Sequence, residues 1–158
     1  MLAKLIGVAR PIALDIAGKG SWQAWQGKAI ADVGPTRLVD LALTNRAGAY
    51  TLSGVLTPGP LVHGKLERLT APRVLVNGGA TLVDRQLKGT LSLRSVSLSL
   101  TGDGTLDLAE SAYRNVRLHT ILLRPPALFP NMTGRAIELR TILDGRFATA
   151  AFDYRLSA

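Results

Sequence analysis

Histidine and cysteine are the residues whose spacing most directly indicates metal binding or nucleophilic catalysis, and this sequence contains few of them. The chain has no cysteine, and its two histidines, His63 and His119, lie far apart. Neither has a second histidine two or four residues away, the spacing that brings two ligands together on one strand or helix. Each histidine is therefore predicted to be a surface residue of a strand. No metal site is expected, and disulfide or thiolate chemistry is excluded.

The carboxylates and small hydroxyl-containing motifs form no catalytic pattern either. The 11 acidic residues are dispersed along the chain, and no G-x-S-x-G nucleophile elbow occurs. The stretch "GKGSW" (residues 18–22) lacks the spacing of a phosphate-binding loop. Asp103 and Asp144 lie beside glycines, where an aspartate side chain usually caps a turn. The sequence predicts a protein that is not an enzyme and that needs no cofactor.

The composition predicts one apolar domain spanning residues 1–158. Hydrophobic residues make up 47% of the chain and aromatic residues only 5%, so the apolar side chains are mostly aliphatic. The net charge of +8 favours anionic partners, but the basic residues are spread rather than clustered, which argues against nucleic acid. No stretch approaches the length of a membrane-spanning helix. Arg10 and Pro11 interrupt the apolar run at 5–9, so no targeting signal is expected.

Alternation of apolar and polar residues is the strongest local pattern. It recurs between segments rich in Gly, Pro, Asn and Asp, which is typical of half-buried strands joined by turns. The predicted strand segments are 11–18, 37–44, 49–56, 73–79, 80–87, 89–95, 96–100, 105–108, 115–120, 137–145 and 152–156. The predicted turns are 33–36, 45–48, 57–60, 77–79, 101–104 and 143–146. Short helical turns are predicted only near 64–72 and 124–132. The expected fold is all-β, one antiparallel meander of about ten strands.

The stretch "SVSLSLTGDGTLDL", residues 95–108, is predicted to form a hairpin with one apolar and one polar face. The large residues before it, Leu91 and Leu93, are odd-numbered, whereas those within it are even-numbered. A bulge or bend near 94–95 would keep both sets on one face. We expect the even-numbered apolar positions to point to a common side of the sheet and to be less exposed than Ser97 and Ser99. These positions are 96, 98, 100, 106 and 108.

Something must cover this apolar face, since burying each large aliphatic side chain is worth about 1.5–3 kcal/mol. Three alternatives follow: a closed β-sandwich, barrel or β-helix-like fold with a dry aliphatic core, which would be a structural or adhesion module; an open curled sheet whose groove holds acyl chains; or a basic β-platform for nucleic acid. The third needs exposed aromatic residues for stacking, and these are scattered. The "SWQAWQG" stretch holds both tryptophans, which are predicted to pack at a strand end over the sheet edge. The candidate groove-lining residues are Leu41, Leu43, Leu52, Leu91, Leu93, Val96, Leu98, Leu100, Leu106, Leu108, Leu118 and Leu139.

Two segments show a resemblance to a known family. They are "LDIAGKGSWQAWQGKAIADV … LVDLALTNRAGAYTLSGVLTPG" and "LRPPALFPNMTGRAIELRTILDGRFATAAFDYRLSA". In the second, a Pro-containing segment at 125–130 precedes a strand at 134–139, and an "LDGRFAT" turn at 143–149 precedes "DYRL" at 153–156. This order is similar to that of proteobacterial TamB-like proteins (translocation and assembly module) of the AsmA-like superfamily.

The resemblance implies an open, taco-shaped β-groove with an apolar interior, which favours the second of the three alternatives. It also implies a long periplasmic protein anchored in the inner membrane, which moves phospholipid to the outer membrane and supports outer-membrane protein assembly and secretion. The implied partners are phospholipid acyl chains, an outer-membrane assembly protein of the Omp85 type, and neighbouring segments of a full-length chain. This sequence is far shorter than such proteins and is expected to be an internal fragment of one.

Overall fold

Ten antiparallel strands make up most of the computed structural model, which describes residues 11–21, 23–132, 134 and 136–157. The apolar run at 5–9, for which no targeting signal was predicted, Arg10 and Trp22 lie outside the described residues. The strands are β1 (Ile12–Gly20), β2 (Ala24–Val33), β3 (Thr36–Arg46), β4 (Ala49–Leu56), β5 (Val74–Val83), β6 (Gln86–Arg94), β7 (Leu98–Asp107), β8 (Ala112–Leu122), β9 (Ile137–Arg146) and β10 (Ala151–Ser157). The predicted all-β meander is confirmed.

The strands follow one another in the sheet in the order of the sequence, from β1 to β10. Each pairs antiparallel with its neighbours in sequence, and β1 and β10 form the two edges of an open sheet. All ten strands belong to this one sheet, so the described residues do not build the second layer that a closed sandwich requires.

Three glycine-containing segments that were predicted to be turns belong to strands instead. Residues 101–104 lie in β7, where the pairing with β8 is irregular between Asp103 and Thr105, residues 77–79 lie in β5, and residues 143–146 end β9. The predicted hairpin within 95–108 is therefore wrong. Glycine is favoured in turns, but it also occurs inside strands where another backbone approaches closely.

The chain reverses direction at Ser95–Ser97, between β6 and β7, where a bulge or bend within one strand had been expected. Antiparallel pairing across this reversal puts Leu93 opposite Leu100 and Leu91 opposite Gly102. The parity change from odd to even positions thus reflects a hairpin, which keeps both sets of leucines on one face.

The two predicted helical turns are present and contact each other at one end of the sheet. Helix α1 (Lys65–Thr70) lies in the β4–β5 connection, and a 3₁₀ turn (Pro125–Ala127) lies in the β8–β9 connection. The Arg68 Nε donates a hydrogen bond to the Ala127 carbonyl oxygen (2.9 Å). The Ser95 hydroxyl donates to the Leu69 carbonyl oxygen.

Ser97 belongs to the same set of connections and is buried, with 6% exposure. Its carbonyl oxygen accepts hydrogen bonds from the backbone N–H groups of Leu123 and Arg124. The expectation that Ser97 and Ser99 would be more exposed than the even-numbered apolar positions is wrong, because Ser99 is half-buried, whereas Val96 and Leu108 are 44% and 43% exposed. Both of these residues lie just outside β7.

Candidate functional site

The register of the sheet divides its side chains into an apolar face and a polar face, because residues that pair across strands point to the same side. One row of paired residues crosses all ten strands: Gly18, Gly27, Leu43, Leu52, Gly78, Leu91, Gly102, Leu118, Thr141 and Tyr154. A second row runs beside it: Ile16, Ala29, Leu41, Gly54, Val76, Leu93, Leu100, Thr120, Leu139 and Leu156. The apolar face therefore continues from one edge of the sheet to the other.

Charge is confined to the opposite side. Among the described residues that pair in the sheet, every Asp, Glu, Lys and Arg points to the polar face. Asn45 is the most buried polar side chain of the apolar face, with 4% exposure, and its Oδ1 accepts a hydrogen bond from the Gly48 N–H (3.0 Å). It stabilises the β3–β4 turn at the margin of that face.

Ten of the twelve candidate lining residues lie on the apolar face. Leu98 and Leu106 are not members of the two rows above, but their cross-strand partners put them on the same face. Leu98 pairs with Leu122, and Leu106 pairs with Leu87 and Tyr113. The other eight belong to the two rows: Leu41, Leu43, Leu52, Leu91, Leu93, Leu100, Leu118 and Leu139.

The remaining two candidates, Val96 and Leu108, lie in connections at opposite ends of β7. Val96 contributes to a depression among the long connections, whereas Leu108 contributes to one on the apolar face. Alternation alone placed Val96 in the strand because it precedes Leu98 by two residues.

Two adjoining depressions lie on the apolar face, with volumes of about 320 Å³ and 400 Å³. They share Ala80, Leu87 and Leu91. Leu106, Val116 and Leu118 line the first depression over glycines 89, 102 and 104. Tyr50, Leu52 and Leu82 line the second. Together they form a shallow apolar trough across the middle of the sheet.

The glycines of this trough mark places where neighbouring strands approach closely on the apolar side. A Cβ at Gly89 would lie 2.5 Å from the Gly79 carbonyl oxygen, and one at Gly104 would lie 2.6 Å from the Val116 Cα. A Cβ at Gly79, which points to the polar face, would have its nearest neighbour at 3.8 Å. The sequence prediction missed this role, since it assigned the glycines near 102–104 to a turn.

Much of the apolar face is exposed to solvent. Among the described residues no large side chain is fully buried, and the contacts between strands run mainly between sheet neighbours. Exposure is greatest at the two edge strands, where Ile16 is 72% and Phe152 63% exposed. An apolar surface of this extent normally marks an interaction site.

The polar face carries cross-strand ion pairs. Lys28 Nζ lies 3.1 Å from Asp40 Oδ1. Glu138 Oε1 lies 2.6 Å from both His119 Nε2 and an Arg140 guanidinium nitrogen, and the hydrogen bond from Arg140, followed by that from His119, lowers the pKa of the Glu138 carboxyl. These pairs occupy a solvated surface.

The two histidines occupy different settings. His119 is on the polar face of β8, as predicted for a strand surface residue. The same prediction is wrong for His63, which lies in the β4–β5 connection. Asp103 and Asp144 lie in strands rather than in turns, and Asp144 Oδ1 accepts a hydrogen bond from the Asn115 N–H (3.1 Å) at an irregularity of β8. The described residues contain no cluster of metal-ligating side chains.

Trp25 lies at the start of β2 on the apolar face, paired with Gly20 of the edge strand. None of the helices in the described part of the chain has the length and apolar character needed to cross a membrane. The chain matches no protein-family model, no curated protein and no solved structure.

Proposed function

We propose that this chain is a non-enzymatic segment of a TamB-like envelope protein, and that its apolar face holds phospholipid acyl chains. In this proposal the face conducts phospholipid between the inner and outer membranes and supports outer-membrane protein assembly. The observation that carries the proposal is the separation of the two faces. Apolar rows cross all ten strands, while the charged residues that pair in the sheet point to the other side.

Acyl chains fit such a surface because they are bound by area. Removing apolar surface from water contributes about 25 cal/mol per Å² without directional contacts. The trough supplies leucine side chains along its walls and glycine backbone along its floor. An acyl chain that lies along the paired rows can shift from one strand to the next without breaking a hydrogen bond. Such a surface suits conduction of lipid better than tight binding.

The edges of the sheet support the proposal that neighbouring segments extend it. The main-chain hydrogen-bonding groups on the outer sides of β1 and β10 have no strand beside them in the described sheet. Such edges readily pair with another strand. The periplasmic location, the inner-membrane anchor and the Omp85-type partner rest on the family resemblance alone.

Native mass spectrometry of the purified chain tests the proposal directly. We expect masses that correspond to the protein with bound phospholipid. The matched variants are Leu52→Asp and Ser53→Asp, which place the same charge on adjacent residues of opposite faces. Leu52→Asp should reduce retained phospholipid more than about tenfold, because an ionised carboxylate set among acyl chains loses its water. Ser53 is exposed, so Ser53→Asp should change retention less than about twofold.

Far-UV circular dichroism of the same samples shows whether each variant keeps its β structure. A folded Leu52→Asp variant that retains as much phospholipid as the Ser53→Asp variant would contradict the proposal. So would the absence of phospholipid from the wild-type chain after purification from membranes without detergent.

A further inference from the structure

The two ends of the sheet are built differently. At one end lie the long connections 57–73 and 123–132 and the three-residue connection 95–97, hereafter together the connection platform. At the other end the strands are joined by short turns, such as those at 47–48 and 84–85. The platform is held together by the contact of α1 with the 3₁₀ turn, by the Arg68–Ala127 hydrogen bond, and by the backbone bonds to Ser97.

Large apolar side chains project from the connection platform into solvent. Leu66 of α1 is 59% exposed and Phe129 is 46% exposed. The other exposed members of the set are Val96, Leu123 and Met132. These residues lie outside the strands, so the lipid-holding role proposed for the apolar face does not account for them.

Basic residues belong to the same connections as these apolar residues. Lys65, Arg68, Arg73 and Arg124 belong to the platform and Arg94 ends the strand beside it, whereas Glu67 is the one acidic residue within the platform's described positions. Among the described residues, no carboxylate lies within ion-pair distance of these five cations. The carboxylates near the strand ends on this side, Asp32 and Glu138, pair with Arg37 and Arg140. Lys65 Nζ lies 6.0 Å from the centre of the Phe129 ring, so one cation is held directly beside an exposed apolar group.

A shallow depression of about 900 Å³ is lined by both basic and apolar residues of the connection platform. It is lined by Arg68 and Arg124 together with Val96, Leu123 and several prolines. Guanidinium groups bind phosphate oxygens through paired N–H donors. Exposed apolar side chains beside cations can bind the surface of an anionic bilayer. The apolar side chains contribute by burial in the interface, and the cations contribute by attraction to the anionic headgroups.

We propose that the connection platform docks the protein onto the surface of an anionic phospholipid bilayer. Leu66 and Phe129 enter the headgroup region, and Lys65, Arg73 and Arg124 lie against lipid phosphates. The docking does not depend on lipid being held by the apolar face, because the two sets of residues are separate.

Vesicle co-sedimentation tests the docking. The probe is a vesicle of three parts phosphatidylcholine to one part phosphatidylglycerol, with phosphatidylcholine vesicles as the comparison. The triple variant Lys65→Glu, Arg73→Glu, Arg124→Glu should bind anionic vesicles at least about tenfold more weakly than the wild type. The control, Arg46→Glu, Arg85→Glu, Arg146→Glu, makes the same change in net charge at the short-turn end and should weaken binding less than about threefold.

The double variant Leu66→Ser, Phe129→Ser separates apolar insertion from charge attraction. It should lose the part of the binding that survives about 0.5 M salt, at which exposed charges are strongly screened. Equal losses in the two charge-reversal variants would overturn the proposal in favour of attraction by net charge alone. Failure of the wild-type chain to bind anionic vesicles would also overturn it.

A second measurement leaves the basic and apolar residues of the connection platform unchanged, so it does not depend on the folding of the charge-reversal and serine variants. Because the chain has no cysteine, a single Asn131→Cys can carry an environment-sensitive dye on the platform, and Thr149→Cys can carry it at the other end. Both positions are exposed. Anionic vesicles should shift the emission of the dye at 131 to shorter wavelength and leave that at 149 unchanged. The reverse pattern, or equal shifts, would overturn the proposal.

Discussion

The apolar and polar faces of the same ten strands differ in how their side chains interact with one another and with water. The polar face pairs its charges across strands, as in Lys28–Asp40, and along a strand, as in Glu138–Arg140, and water screens the remaining charges. The apolar face carries no charged residue among the described residues that pair in the sheet, and its most buried polar side chain, Asn45, accepts a hydrogen bond from the Gly48 N–H at the margin of the face. Equivalent substitutions on the two faces should therefore have unequal effects.

The largest effect on stability is expected at the trough glycines. Gly89→Ala should lower the free energy of unfolding by about 1–3 kcal/mol, because its Cβ would lie 2.5 Å from the Gly79 carbonyl oxygen and force the strands apart. The matched change on the polar face is Gly79→Ala, whose Cβ has its nearest neighbour at 3.8 Å. It should leave stability unchanged or raise it by about 0.4–1 kcal/mol. Urea unfolding of the two variants measures both values, and equal losses would mean that the strands are not closer on the apolar side.

A smaller difference is expected between neighbouring polar residues of β3. Asn45→Ala removes the acceptor of the Gly48 N–H from a side chain that is 4% exposed, and should cost about 1–2 kcal/mol. Thr44 is on the polar face, where its hydroxyl lies 2.6 Å from that of Thr51. Thr44→Val keeps the β-branched shape and should cost about 0.5 kcal/mol or less. Thermal unfolding compares them, and the reverse order would contradict the assignment of faces.

The response to acid should come from the polar face alone. The Asp107 carboxylate accepts hydrogen bonds from the Glu110 and Ala109 N–H groups and lies 3.5 Å from Arg114. The bond from Glu110 is the main cause that lowers the pKa of Asp107, and Arg114 adds to it. A carboxyl whose pKa is lower in the folded state stabilises the fold above its unfolded pKa, and that stability is lost as the pH falls.

Wild-type stability should accordingly fall below about pH 4, where free aspartate begins to protonate. Asp107→Asn should flatten this fall, because asparagine does not titrate. Urea midpoints measured between about pH 2.5 and pH 6 provide the comparison. An identical pH profile in the variant would show that Asp107 does not contribute to the acid response.

The smallest effect is expected for an exposed ion pair. The side chains of Lys28 and Asp40 are 52% and 36% exposed, so Lys28→Ala should change the free energy of unfolding by about 0.5 kcal/mol or less. A double-mutant cycle with Asp40→Ala isolates the interaction. A coupling energy above about 1 kcal/mol would mean that the polar face contributes more to the fold than solvent-screened pairs can.

The sequence predicts the fold class and most of the apolar face, because alternation has the same period as the strand. The sequence predicts turns less well, because Gly and Asp occur both in turns and inside the strands of this sheet. The glycines of "TGDG" and Gly78 of "NGG" lie where neighbouring strands approach closely, whereas the actual turn at Asp84–Arg85 contains no glycine and reaches positive φ with ordinary residues. Strand β2 was not predicted, because its apolar positions are mostly alanine and glycine, as at Gly27, Ala29 and Ala31, and these give little contrast with the polar positions.

The connection platform could not be inferred from local pattern. Lys65, Arg73 and Arg124 are scattered in the sequence, and only the meander brings their connections to the same end of the sheet. The even spread of basic residues along the chain concealed a cluster in space. Charge clustering is therefore better judged by which end of each strand a residue follows than by its distance along the sequence.

The strictly sequential order of the strands has a consequence for how such a protein changes in length. Each strand depends mainly on its two neighbours, so the sheet behaves as a one-dimensional array, with stability that is approximately a sum over adjacent pairs. Addition or loss of one hairpin changes the span of the sheet without disturbing distant contacts. Duplication of a hairpin-coding segment would thus yield a longer sheet that still folds, because each added strand pairs with the one that precedes it in the sequence.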